Sequence, residues 1–104
     1  MLAELEIIPI GTNTTSLSTL LAQVAALIDR SGLDYRIGSM GTVVEGSWEE
    51  VMRLAKQCHD ALLGATGRVM TTIRIDDRND QPSAGRSTRK VESLEAKVNT
   101  PLRK

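Results

Sequence analysis

The stretch Thr42-Val43-Val44-Glu45-Gly46-Ser47-Trp48-Glu49-Glu50-Val51 decides the fold, because the hydrophobic period changes inside it. Residues 42–46 are a short run rich in β-formers. Ser47 followed three residues later by Glu50 is a capping box, and it opens an amphipathic helix over residues 48–64. Val51, Leu54, Ala55, Cys58 and Leu62 recur at three and four along that helix and form its buried stripe. Gly64 or Gly67 closes it.

Upstream, residues 34–38 form a second short β-run, and Gly38 to Gly41 lies between the two, so the pair reads as a hairpin. Before the hairpin, Leu17, Leu20, Leu21, Val24, Leu27 and Ile28 predict a helix over residues 16–31. Thr14, Thr15 and Ser16 offer N-caps, and Gly32 stands where a C-terminal glycine belongs. Residues 3–9 alternate, with Ala3, Leu5 and Ile7 on one face and Glu4, Glu6 and Ile8 on the other.

Downstream, residues 68–76 alternate again: Val69, Thr71, Ile73 and Ile75 against Met70, Thr72, Arg74 and Asp76. Residues 77–87 are polar, with Pro82 and Gly85, and read as a loop; residues 79–87 are expected to be flexible. Val91, Leu94 and Val98 give a short third helix over residues 88–98, whose thin apolar stripe suits docking on a neighbouring surface. The order β-α-β-β-α-β and then α predicts one α+β domain over residues 1–104. It is a ferredoxin-like βαββαβ sandwich: a four-stranded antiparallel sheet, both main helices on one face, and an extra C-terminal helix. The other sheet face is left without a cover. A second copy of the chain is expected there, giving a dimer and, by further pairing, a tetramer.

Composition narrows the function classes. The chain has 104 residues, enough for one core. Lysines and arginines number 13 and so do aspartates and glutamates, so no overall field steers the chain to nucleic acid or an anionic membrane. The acids lie mainly in residues 1–77 and the basic excess in the tail. The only aromatics are Trp48 and Tyr35, and the expected central strands have none. That argues against RNA binding by base stacking on the sheet. A lone cysteine, Cys58, fits a reducing compartment, and no run is long enough to span a bilayer, so a cytoplasmic location is expected. Trp48 could cover a ligand ring, but packing at the helix start is the favoured role.

Few residues point to catalysis. Cys58 and His59 are adjacent, not at a metal-ligand spacing, and no other Cys or His completes a zinc site. No nucleophile elbow or phosphate loop surrounds the hydroxyls of residues 12–19. Those hydroxyls serve as helix caps or as contacts to a polar ligand. Glu45, late in a strand before a glycine, is either an exposed strand end or a carboxylate aimed at a ligand amine or cation. Asp76 and Arg78 read either as a charged turn, as a second polar wall beside Glu45, or as an Arg–carboxylate clamp between subunits.

Taken in order, Ile8-Pro9-Ile10-Gly11, Ser31-Gly32-Leu33-Asp34-Tyr35, Met40-Gly41-Thr42 with Glu45-Gly46, Arg68-Val69, Ile75-Asp76-Asp77-Arg78 and Lys90-Val91-Glu92-Ser93-Leu94 resemble a family of small thiamine-binding proteins. The resemblance covers nearly the whole chain. It implies a ferredoxin-like fold, association through the sheets, and binding of thiamine or its hydroxymethylpyrimidine part without catalysis. It carries Ser16, Thr42 and Glu45 over as ligand-binding residues, to which the sequence adds Asp76 and Arg78. Residues 79–87 depart from the family pattern. No cofactor or metal is expected, and thiamine is the expected ligand. The alternatives are a regulatory or structural homo-oligomer with a different small ligand and, last, a small enzyme using Glu45 or Asp76 as a general base.

Overall fold

The computed structural model of the chain describes residues 1–11, 17–80 and 85–103. The elements run β1 (Leu2–Pro9), α1 (Ser18–Arg30), β2 (Asp34–Ile37), β3 (Thr42–Glu45), α2 (Trp48–Thr66), β4 (Val69–Asp76) and α3 (Arg86–Val98). One antiparallel sheet holds all four strands in the order β2-β3-β1-β4. This is the expected α+β arrangement with β1 and β3 central.

The alternation of β1 sets the layers. Ala3, Leu5 and Ile7 are buried and join Val44 of β3, Val24 and Ile28 of α1, and all five stripe residues of α2 in a single core. Both helices therefore cover the odd-numbered face of β1. The even residues Glu4, Glu6 and Ile8 point to the other face, opposite Arg74, Thr72 and Met70 of β4. Ile8 is 39 % exposed and Met70 55 %, so this face is open within one chain. The capping box forms as read: the Glu50 amide donates to the Ser47 hydroxyl at 3.1 Å, and the Ser47 amide donates to the Glu50 carboxylate at 2.9 Å. Gly67, at φ 80°, ends α2 in the left-handed conformation that a side chain would resist.

Two differences from the sequence reading matter for function. First, α3 begins at Arg86, not residue 88, with Gly85 (φ 77°) as its N-cap. Second, the hairpin is as short as read, but the register, which the sequence did not give, sets it against only the near half of β1. β3 pairs with β1 only from Leu2↔Glu45 to Leu5↔Thr42, whereas β4 pairs with β1 over its whole length to Pro9↔Val69. The far half of β1 is thus central toward β4 and an edge toward β3.

Backbone direction fixes which residues face that edge. Met1 and Gly46 exchange hydrogen bonds at 2.6 and 3.1 Å on the β3 side, while the Ile10 amide donates to Arg68 at 3.0 Å on the β4 side. Alternation along the strand then turns the backbone groups of Leu5, Ile7 and Pro9 toward β3. Pro9, which has no N–H, is tolerated in the ladder because its nitrogen faces the side where β3 has already ended.

Candidate functional site

Where β3 stops, a notch opens between α1, the far half of β1 and the 38–41 turn. Its volume is about 330 Å³. Leu21, Val24, Ala25 and Ile28 form its α1 wall, residues 37–42 its hairpin wall, and Leu5 to Ile8 its floor. The turn is held by the Gly38 amide donating to the Gly41 carbonyl at 2.9 Å. At Gly41 the backbone passes so close that an added Cβ would lie 3.2 Å from the Leu5 carbonyl oxygen. Any larger residue there would have to push the turn a few tenths of an ångström away from β1.

Four of the exposed large apolar side chains meet at this notch. Ile8, Leu21 (41 % exposed), Ile37 (55 %) and Met40 (82 %) all line it. An unburied apolar rim around a concave, glycine-shaped opening is the usual surface signature of a ligand or partner site. Thr42, half-buried, brings a hydroxyl to the lining, and Glu6 brings a carboxylate.

The structure divides the residues that the sequence grouped. Thr42 and Val44 share the helix-covered face, so Thr42 meets the notch. Glu45, three residues on, lies on the open face, and its carboxylate is engaged elsewhere. The amides of Gly85 (2.8 Å) and Ser87 both donate to it, so a strand carboxylate caps the N-terminus of α3 across 40 residues of chain. Asp76 completes the attachment. Arg86, only 4 % exposed, donates to the Asp76 carbonyl at 2.6 Å and pairs with its carboxylate at 3.0 Å, and Lys90 pairs with the same carboxylate. Arg78 forms a two-bond clamp with Asp80 (2.9 and 2.6 Å) within the turn after β4. Ser16 lies outside the described residues, as do Thr12, Thr14 and Thr15. Trp48 is 56 % exposed and is not among the residues lining the notch.

The sequence reading missed Arg86, Lys90 and the amides of α3. Their signal was a cation pair spaced i, i+4, but the boundary between the segment read as loop and the helix read over 88–98 fell between Arg86 and Lys90.

Electrostatics support the anchoring role of Glu45 and Asp76. Burial by itself would raise the Glu45 pKa, but the hydrogen bonds from Ser87, Gly85 and Arg86 together outweigh it and hold the carboxyl below its ordinary 4.5. Hydrogen bonds from Lys90 and then Arg86 hold Asp76 below its ordinary 3.8. Both folded-state values are depressed, so α3 docking is fully stabilised above the ordinary carboxylate range. It weakens as pH falls through the folded values, where the undocked form binds more protons. Hydrogen exchange of the α3 amides should therefore be flat from pH 7 to 5, after correction for intrinsic rates, and rise below about pH 4.

Among the described residues nothing assembles a nucleophile. Burial pushes the Cys58 thiol up to about 11, so it stays protonated, and His59 contacts the Thr71 hydroxyl at 2.7 Å on the helix-covered side. Among the described residues no group of His, Cys, Asp and Glu could hold a metal ion, and no helix is long and apolar enough to cross a membrane.

Comparison with known proteins places these features in a family. The profile described as thiamine-binding protein matches residues 3–95. A UPF0045 protein from Methanothermobacter thermautotrophicus is 42 % identical over 98 residues, covering 92 % of this chain and 97 % of that protein. The crystal structure of a hypothetical protein from Methanocaldococcus jannaschii superposes with a TM-score of 0.81 at 29 % identity, covering 89 % of this chain and 93 % of the other. A Thermotoga maritima structure, of a candidate thiamine biosynthesis or salvage protein, superposes with a TM-score of 0.72 at 21 % identity. It covers 86 % and 95 % of the two chains and shows the shared fold.

Proposed function

This chain belongs to the thiamine-binding protein family, and from that premise we propose that it is a non-enzymatic protein that binds thiamine, or its hydroxymethylpyrimidine half, in the notch beside the 38–41 turn. The observation that carries the assignment is the gathering of Ile8, Leu21, Ile37 and Met40, all exposed, around one cleft that Thr42 also lines. A volume of about 330 Å³ lies at the lower end of the range for small-molecule sites and suits a single heterocycle with a short substituent. The apolar rim takes the ring faces, and Thr42 offers a hydrogen bond to a polar edge. Ser16 stands as a further ligand contact on the family resemblance alone. In this reading Glu45 and Asp76 support the site indirectly, by holding α3 on the open face.

Glu6 and Ile8 of the open face line the notch beside Leu5 and Ile7 of the covered face. A second copy of the chain on the open face would close it from below. Ile8 and Met70 on that face, with Leu94 (54 % exposed) and Val98 (53 %) on α3, supply the apolar surface for such a dimer and for pairing into a tetramer. The protein would then act as a carrier, buffer or sensor of its ligand inside the cell.

Titration calorimetry of the purified chain with thiamine and with hydroxymethylpyrimidine tests the assignment. Micromolar binding of both, at one site per chain, is the expected result. A chain that sediments as a dimer or tetramer yet binds neither compound would instead support a structural or regulatory oligomer with another ligand.

A further inference from the structure

We propose that the backbone of Ile7 reads the edge of the ligand's aminopyrimidine ring, its N–H donating to a ring nitrogen and its C=O accepting from the exocyclic amine. The inference rests on the notch being the ligand site, and it identifies which atoms select the ligand.

Ile7 turns its N–H and C=O toward β3, but the β1–β3 ladder ends at Leu5↔Thr42, two residues earlier. Among the described residues no strand faces Ile7 on that side. Ile7 is nonetheless only 7 % exposed, and it lines the notch. A buried residue whose donor and acceptor lack a ladder partner is costly unless something completes them. Pro9 supports the same geometry, since its donor-free nitrogen faces the same opening.

In an antiparallel sheet the partner residue would offer one acceptor and one donor side by side. A ring nitrogen next to an exocyclic amine offers that same pair on a rigid planar frame. Leu21 and Met40 lie where they can cover the faces of such a ring. The chemical class follows: a planar heteroaromatic ring carrying an amidine-like N=C–NH2 edge. An analogue in which the amine is replaced by oxygen reverses the pattern, setting N–H against N–H and carbonyl against carbonyl.

The test compares hydroxymethylpyrimidine with its 4-oxo analogue by calorimetry on the unmodified chain. It then repeats the pair on a semisynthetic chain whose Glu6–Ile7 amide is replaced by an ester, which removes the Ile7 donor and weakens the Glu6 carbonyl, on the β4 side, as an acceptor. The expected result is a 4-oxo analogue bound at least a hundredfold more weakly than the 4-amino compound. In the ester chain, binding of the 4-amino compound should fall about tenfold and the gap between the two should narrow. Equal affinity of the two compounds would overturn the inference while leaving the notch as the ligand site. Binding of neither compound, nor of thiamine, would overturn the assignment of the notch and this inference with it. If the ester chain fails to fold, the comparison on the unmodified chain decides alone.

Discussion

Replacing Glu45 with alanine should release α3 from the sheet while the rest of the domain stays folded, lowering overall stability by about 2–4 kcal/mol. Both carboxylate oxygens of this buried residue are used, one by Gly85 and one by Ser87, and charge-assisted bonds to otherwise unpaired helix amides are among the stronger polar contacts. Little apolar packing would remain to hold the helix. Leu94 and Val98 are more than half exposed, and Arg86 and Lys90 also tie the helix to Asp76. Glu45→Gln should be nearly as damaging, because one side of its amide would present a donor to a donor. Native-state hydrogen exchange distinguishes this from general unfolding. The amides of α3 should lose protection, and those of β1, β4 and α2 should keep most of theirs. The same variant should weaken hydroxymethylpyrimidine binding only as far as release of α3 weakens the pairing that closes the notch, since Glu45 itself is not among the residues lining it. Loss of binding with α3 still docked would return Glu45 to the ligand.

The second large effect is expected at Ala25. This residue lines the α1 wall of the notch and is half-buried, so a larger side chain there grows into open space. Ala25→Phe should fill the position of the ligand ring and weaken hydroxymethylpyrimidine binding at least a hundredfold, close to 2.8 kcal/mol of binding energy. Its thermal stability should change by less than about 1 kcal/mol, because no close-packed core is disturbed. Ala26→Phe is the control: one position along α1 it is exposed and is not part of the lining, so binding should be retained. If Ala25→Phe binds as the parent chain does, the notch is not the site.

Much of this architecture could be read from residue order. The alternation of residues 3–9 and the 3.6-residue stripe of α2 each report a local period, and burial followed both. The split between Thr42 and Glu45 was also legible, because residues three apart on a strand point to opposite faces. They were nevertheless grouped, since both belong to one family motif. The free half of β1 follows from a simple mismatch, eight residues of β1 against four of β3. It became visible only once the register placed the end of β3 at Leu5. The anchoring of α3 is different in kind. No local pattern announces that Glu45 will meet Gly85 and Ser87 some 40 positions later, or that Arg86 will be buried against Asp76. Such contacts depend on how the open face is shared, which a one-dimensional reading does not fix.

The most direct measurement is a set of amide ¹H–¹⁵N spectra recorded as hydroxymethylpyrimidine is added. Perturbations are expected to centre on Ile7, on residues 37–42 and on the Leu21–Ala25 stretch of α1, with the amides of Gly85 and Ser87 unmoved. Perturbations centred instead on Gly85, Ser87 and the neighbours of Glu45, or none at saturating ligand, would contradict the assignment of the notch as the ligand site.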